Sequence, residues 1–190
     1  SEAVDGAGSD YDSVFAVILG TGVGAGFSLN KKIIVGPNKL TGEWGQNPIP
    51  GPMDDYEKNV KRHCGRIGAI EVFLSGPGLE NYYRYKTNSK KTSKEIVSLF
   101  NENNSHAIEV MDMYFERIAR SFSTFVNILD PDIIVCGGGM SEIDNIYDEI
   151  PKRIIPYIAS NFFLTPIVKA KHGSSSGCLL YTSDAADEAS

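Results

Sequence analysis

Ser13-Val-Phe-Ala-Val-Ile-Leu-Gly20-Thr-Gly22-Val-Gly24-Ala-Gly26-Phe-Ser-Leu-Asn30 is the stretch that decides the fold. An apolar run of strand length, Val14 to Leu19, leads into glycines at every second position: Gly20, Gly22, Gly24 and Gly26. Removing Cβ at alternate positions opens one side of the backbone, so that a bulky anion can approach the amides. Thr21 adds a hydroxyl in the same bend. The combination points to phosphate, most simply the phosphates of a nucleotide; the plain alternative is a glycine-rich β-bend without a ligand. Gly20-Thr-Gly22-Val-Gly24-Ala25 also satisfies the dinucleotide fingerprint, but that fingerprint must open a helix. Here Phe27 and Leu29 alternate with Ser28 and Asn30, and Ile33-Ile34-Val35 follows a polar turn, which predicts strand, turn, strand. No Gly-Lys-Ser/Thr follows the glycines, so the stretch is not a Walker A loop.

Outward from this core, residues 14–35 read as a three-strand antiparallel meander. Residues 36–68 form a long irregular stretch containing Pro37, Pro48, Pro50 and Pro52, and a loop of that length inside a compact domain is usually functional. A helical pattern resumes from Ile70 to Leu74, turns at Ser75-Gly-Pro-Gly78, and restarts near Leu79 to Tyr85. Another short helix begins at Ser93, with Ser93 or Thr92 as its cap. Residues 106–129 hold the longest helix, with Ile108, Met111, Phe115, Ile118, Phe122, Phe125 or Val126, and Leu129 at helical spacing as a core stripe. Asp130-Pro131 stops it. Ile133-Ile-Val-Cys136 is a buried strand by its unbroken apolar run. Gly137-Gly138-Gly139 follows, Ser141 is placed to cap a helix from Glu142 to about Ile158, and Pro166 to Ala170 is a final strand. Helix, strand, glycine turn, helix, strand is an α/β arrangement, in which ligands bind beyond the carboxyl ends of the strands. Two glycine-rich turns, one before a hairpin strand and one before a helix, suit a nucleotide held between them.

Bulk composition narrows the class. The 190 residues suffice for one domain with a real core, and 42% hydrophobic and 10% aromatic content is that of an ordinary globular chain. A formal charge of −6 argues against a nucleic-acid surface. No apolar run approaches membrane-spanning length, and no signal peptide opens the sequence. Three widely spaced cysteines, Cys64, Cys136 and Cys178, fit a reducing cytoplasm better than a disulfide framework. The start, Ser1-Glu-Ala-Val, reads as if in mid-helix. From Cys178 onward neither periodicity nor turn chemistry is visible, so residues 178–190 are expected to be an unstructured, foreign tail.

At Gly42-Glu43-Trp44-Gly45 the chain resembles the ROK family of bacterial sugar kinases and related repressors. Leu19 to Gly26, Glu71-Val-Phe-Leu-Ser-Gly76 and Val126 to Ser141 support the likeness. Within the family it looks most like the fructokinase (mannofructokinase) type, on Ser1 to Ala7 and Val168-Lys-Ala-Lys-His-Gly173. The likeness covers roughly residues 1–177, read as the C-terminal portion of such a kinase, without the N-terminal lobe. It implies an actin-like (ribonuclease H-like) fold with ATP and Mg²⁺ between two lobes. Gly20, Thr21, Gly22, Val23, Gly24 and Gly26 would lie near the phosphates, and Gly137, Gly138 and Gly139 near the adenosine. Glu43 and Glu71, with Gln46 and Asn47, would bind the hydroxyls of a hexose, most simply fructose; a carboxylate accepts two hydroxyl bonds and fixes the ring's orientation. The family's general base, an aspartate, is expected upstream of Ser1, so these residues alone are expected to be inert. The resemblance leaves a homodimer open and calls for no nucleic acid or membrane partner.

The chain departs from the family pattern in three places. A structural zinc site in the family uses a histidine after Gly-Glu-Trp-Gly and three cysteines in a Cys-x-Cys-Gly-x-x-Gly-Cys run. Here Gln46 stands at the histidine position and the run reads Arg62-His-Cys64-Gly-Arg-Ile-Gly-Ala69, so only Cys64 remains and zinc is expected to be absent. Ser174 replaces an aspartate. His106 and His172 have no partner at ligand spacing, Cys136 reads as a small buried hydrophobe, and Trp44 as an anchor for its loop. A sugar-responsive repressor of the same family, or a degenerate sugar-binding protein, are the competing functions.

Overall fold

The computed structural model describes residues 1–62 and 65–173. Cys64, Ser174 and the expected tail at 178–190 lie outside them. Strand β1 (Ser13–Leu19) turns through the glycine bend into β2 (Val23–Leu29), which returns antiparallel, and β3 (Lys32–Ile33) completes the meander. Asn30 and Lys31 make the second turn with φ of 51° and 63°. The described residues of the long stretch that follows hold one 3-10 turn, Glu43–Gln46, and two isolated bridges, Pro48–Ala69 and Lys61–Ile67. Four helices come next: α1 (Glu71–Leu74), α2 (Gly76–Thr87), α3 (Ser93–Asn101) and α4 (Ser105–Leu129). Strand β4 (Ile133–Gly137), helix α5 (Asn145–Arg153) and strand β5 (Ile167–Lys169) end the described fold.

The five strands are ordered β3-β2-β1-β4-β5, with β1–β4 and β4–β5 parallel. The side-chain period of two separates the faces. Phe15, Val17, Leu19, Val23, Ile134 and Cys136 point into the main core, under α4. Val14, Ile133, Val135 and Ala170 form a smaller cluster with Ala3, Ala7 and Tyr11. Asp132 pins the start of the parallel pair: it accepts both the amide and the hydroxyl of Ser13 at 2.7 Å.

Helix α4 is the spine. Asn104 caps it by accepting the Ala107 amide, and Asp130, at φ 41°, ends it ahead of Pro131. The apolar stripe is buried from Met111 to Val126, while Ile108 and Leu129 at its ends are exposed. Val110, Tyr114, Arg117 and Ser121, between the expected positions, are buried as well. Thr92 is the cap of α3, in a reciprocal capping box with Glu95.

The expected helix from Glu142 to Ile158 breaks into three: a 3-10 turn at Gly139–Glu142, α5, and a 3-10 turn at Ile155–Tyr157. Ser141 does not cap it. Its buried hydroxyl donates back to the Gly138 carbonyl at 2.7 Å, which removes it from the helix start. Pro156 has no amide hydrogen to continue the ladder. Nor is Ser1 in a helix; residues 2–10 are turns broken by a bend at Gly6.

Candidate functional site: two glycine turns and a carboxylate loop

Ile18 lies opposite Gly24 on β2 and opposite Gly137 on β4. That register sets the two glycine-rich turns side by side at the carboxyl ends of β1 and β4. Gly20 closes the first bend by donating to the Gly22 carbonyl at 3.0 Å, and its own carbonyl accepts the Gly76 amide at 2.8 Å. The N-terminus of α2, where Ser75 accepts the Gly78 amide, is thereby fixed against the bend. A helix N-terminus carries a partial positive charge and favours anions.

The glycines here differ in what they do. At Gly138, with φ 88°, a Cβ would fall 2.4 Å from the Leu19 carbonyl oxygen, so the close approach of β4's turn to β1 demands glycine. At Gly24 and Gly139 a Cβ would meet nothing within 4 Å, and neither has a positive φ. Neither fold geometry nor packing among the described residues requires glycine there. Both leave backbone open to a ligand, and a nucleotide fits such a cradle. Thr21, at the tip, is exposed.

Gly42 and Gly45 seat the second part of the site on β2. The Gly42 carbonyl accepts the Ala25 amide at 2.9 Å, and Cβ atoms at Gly42 and Gly45 would collide with the carbonyls of Ala25 (1.8 Å) and Val23 (2.4 Å). Between them Trp44 turns inward, edge-on to Phe122 and Phe125, and acts as the anchor. Glu43 is left exposed and Gln46 half-buried at the surface of the turn. The Asn47 carbonyl accepts the Ile70 amide at 2.9 Å, and Ile49 pairs with Gly68, which sets Ile70, and Glu71 after it, alongside Asn47.

Glu71 faces the first glycine bend. Its Oε2 accepts the Val23 amide at 3.3 Å and lies 3.0 Å from where a Gly22 Cβ would be; its Oε1 accepts from Arg62 Nε at 3.2 Å. The expected residues thus fall into two adjoining groups, Gly20 to Gly26 with Gly137 to Gly139, and Asn47 with Glu71, the Glu71 carboxylate joining the two; Glu43 and Gln46 sit on the 3-10 turn just ahead of Asn47. Arg62 lies in the run that the resemblance assigns to zinc ligands, and nothing local marks it as the partner of a carboxylate nine residues on.

Among the described residues no group of three or more His, Cys, Asp or Glu is placed to hold a metal ion, and no helix is long and apolar enough to cross a membrane. His106 is exposed. His172 does have a partner: its Nε2 lies 3.0 Å from Asp5 Oδ1, and the contact holds the Asp5 carboxyl below its usual range. Cys136 is fully buried and its thiol is pushed up to about 12 by that burial, the chemistry of a packed side chain and not of a nucleophile.

Comparison with known proteins agrees with this geometry. A protein 38% identical over 181 residues, the N-acetyl-D-glucosamine kinase of Vibrio atlanticus (strain LGP32), matches 93% of the chain, which spans 60% of that relative's length. Among solved structures, the ROK hexokinase of Thermus thermophilus superposes with a TM-score of 0.79 at 21% identity, over 93% of this chain and 57% of its own. A ROK glucokinase from Streptomyces griseus, in complex with glucose and AMPPNP, superposes at 0.76 and 20% identity, over 88% and 58%. A ROK transcriptional regulator, a homologue of the E. coli MLC protein, does so at 0.74 and 18%, over 90% and 44%. These likenesses establish the actin-like ATPase fold. The fructokinase type finds no support, since the relative's substrate is N-acetyl-D-glucosamine. The ROK family model matches residues 1–180, and with its glycine cradle, Gly-Glu-Trp-Gly turn and inward Glu71 the chain belongs to the ROK family.

Proposed function

We propose that the full-length protein is an ATP-dependent kinase of a hexose-type sugar. The observation that carries this reading is the position of Ile18, opposite Gly24 and Gly137 at once, which makes one cradle of two open glycine turns. Bound there, ATP would supply the phosphoryl group, with Mg²⁺ on its phosphates.

The work left to the protein is positioning and charge neutralisation. The bend from Gly20 to Gly26, Thr21 and Val23 included, would lie along the phosphates, with the positive end of α2 behind it; the amides of Gly20, Val23 and Ala25 are already given to the Gly22 carbonyl, Glu71 and the Gly42 carbonyl, so they shape the bend. Gly137, Gly138 and Gly139 flank the adenosine. Glu43 and Glu71 accept hydrogen bonds from sugar hydroxyls, and each Glu71 oxygen keeps acceptor capacity beyond the bond it already makes. Gln46 and Asn47 donate and accept beside them. The base for the attacking hydroxyl would be the aspartate that the resemblance expects outside this chain, which spans 60% of the length of the Vibrio relative, and the chain alone is expected to be inert.

ATP-dependent phosphorylation of a panel of N-acetyl-D-glucosamine, N-acetyl-D-mannosamine, glucose, mannose and fructose by the full-length protein tests this. The name of the Vibrio relative puts N-acetyl-D-glucosamine first. Turnover of one sugar sustains the reading. Sugar binding without turnover sinks it and favours a regulator or a degenerate binding protein, for which the same fold serves. Light scattering on the same preparation tests the homodimer expected from the resemblance.

A further inference from the structure

Two arginines of α4 reach out of the helix and grip the irregular loop ahead of Glu71. Arg117 Nε and Arg120 Nη2 both donate to Glu57 Oε1, at 2.8 and 2.5 Å. Arg117 Nη2 donates to Asp54 Oδ2 at 3.3 Å, and Arg120 Nη1 to the Pro52 carbonyl at 3.1 Å. Arg117 and Glu57 are each 1% exposed. The loop is shaped to meet them: the Glu57 amide donates to Asp54 Oδ1 at 2.7 Å, and at Gly51 a Cβ would press on Arg120 Cδ at 3.3 Å. The Arg117 guanidinium also lies 4.0 Å from the ring centre of Tyr82 and 5.2 Å from that of Phe73, which is two residues beyond Glu71.

Stability does not explain this cluster. Burying charges carries a desolvation penalty, and apolar residues of similar volume often serve as well or better. Arg120 Nε finds no acceptor among the described residues, which makes the cluster costlier still. Apolar contacts, however, could not fix direction. Three oxygens, Glu57 Oε1, Asp54 Oδ2 and the Pro52 carbonyl, met by a planar fork on each arginine, set the loop at defined points along α4. The loop so fixed returns through the Val60–Gly68 and Ile49–Gly68 hydrogen bonds to Arg62 and Glu71.

We propose that Arg117 and Arg120 are positioning residues of the sugar site: through Glu57, Asp54 and Pro52 they fix the loop from Pro52 to Arg62 against α4, and with it the Arg62–Glu71 pair. Its kinetic consequence rests on the kinase reading; the immobilisation of the loop does not.

The test uses the full-length protein with the cluster replaced whole by apolar residues (Glu57→Leu, Arg117→Met, Arg120→Met), and Glu57→Gln as a variant that keeps the shape should the triple not fold. Amide hydrogen exchange is read over residues 52–60 and over α4. The expected result is exchange at least about tenfold faster in the loop with α4 unchanged, and a rise of about tenfold or more in KM for the sugar with KM for ATP within about twofold. An Arg117→Lys variant, which keeps the charge but not the fork, should fall between. Unchanged loop exchange in the altered protein overturns the proposal, as does an equal rise in both KM values. If the unaltered protein phosphorylates no sugar, the kinase reading fails alone and the exchange experiment still decides this one.

Discussion

Arg62 Nε donates to Glu71 Oε1 at 3.2 Å, so the carboxylate assigned to the sugar is held by a cation before any sugar arrives. Both side chains are partly exposed, at 19% and 24%, and the pair is open to a ligand. A carboxylate pre-oriented in this way loses little freedom when it meets hydroxyls. Glu71→Gln keeps the shape and removes the charge. It should raise KM for the sugar by about tenfold or more in the full-length protein, while Arg62→Met, which removes the cation from Glu71 Oε1 but leaves the carboxylate charged and bonded to the Val23 amide, should raise it about threefold. Steady-state kinetics with sugar and ATP varied separately checks both. An unchanged sugar KM in Glu71→Gln would remove Glu71 from the site.

The glycines make opposite predictions. Gly24→Ala meets open space and should leave stability within about 0.5 kcal/mol, yet raise KM for ATP at least about fivefold by filling the cradle. Gly45→Ala drives a methyl into the Val23 carbonyl and should cost about 1–3 kcal/mol. Thermal melts paired with nucleotide titrations separate them. If Gly24→Ala binds ATP normally, the open face of β2 is not where the phosphates lie.

Acid should loosen the join between the first and last described segments. Burial raises the Glu2 carboxyl, but amide donation from Ala7, His172 and Lys171 outweighs it, and the net shift is downward. A lowered carboxylate contributes stability above its unfolded value, and that contribution is lost as pH falls through the folded one. Stability should therefore begin to fall below about pH 4.3. Glu2→Gln should cost about 1–2 kcal/mol at neutral pH and flatten that part of the acid limb. Urea midpoints from pH 3 to 7 (roughly the window set by an ordinary glutamate) read it out; an equally steep limb in the variant would clear Glu2 of the effect.

Cys136 should resist alkylation. Fully buried, with its thiol pushed up to about 12, it is almost entirely protonated at pH 8. Iodoacetamide followed by peptide mapping should find it modified only after denaturant is added. Labelling of the native protein at a rate near that of a free thiol would mean that the core under β4 opens readily.

Sequence reading reached the meander, the two glycine turns and the core of α4 because each is written in local pattern: alternation in Phe27 to Asn30, a 3.6-residue period from Met111 to Val126, glycines after apolar strands. It placed Glu43, Gln46, Asn47 and Glu71 in one site only through resemblance, since nothing local in Glu43 or Glu71 distinguishes a ligand from a surface carboxylate. It failed where the deciding contact is distant or hidden. Ser141 reads as a cap until the Gly138 carbonyl claims its hydroxyl. Arg117 reads as a polar break in an apolar stripe until Glu57, sixty residues earlier, is found against it. The same distance hides the bond between Asp132 and Ser13, on which the parallel pair begins.

That parallel pair carries a consequence for how the molecule is made. The β1–β2 hairpin closes through local contacts, but β4 reaches β1 only after 119 residues of chain have been drawn in, from Ser13 to Asp132. Loop closure of that span is slow relative to a hairpin and must wait for helices to shorten it. The first glycine bend therefore forms early and the second joins it late, so a folding intermediate stalled before β4 docks would already hold half of the cradle and bind nothing.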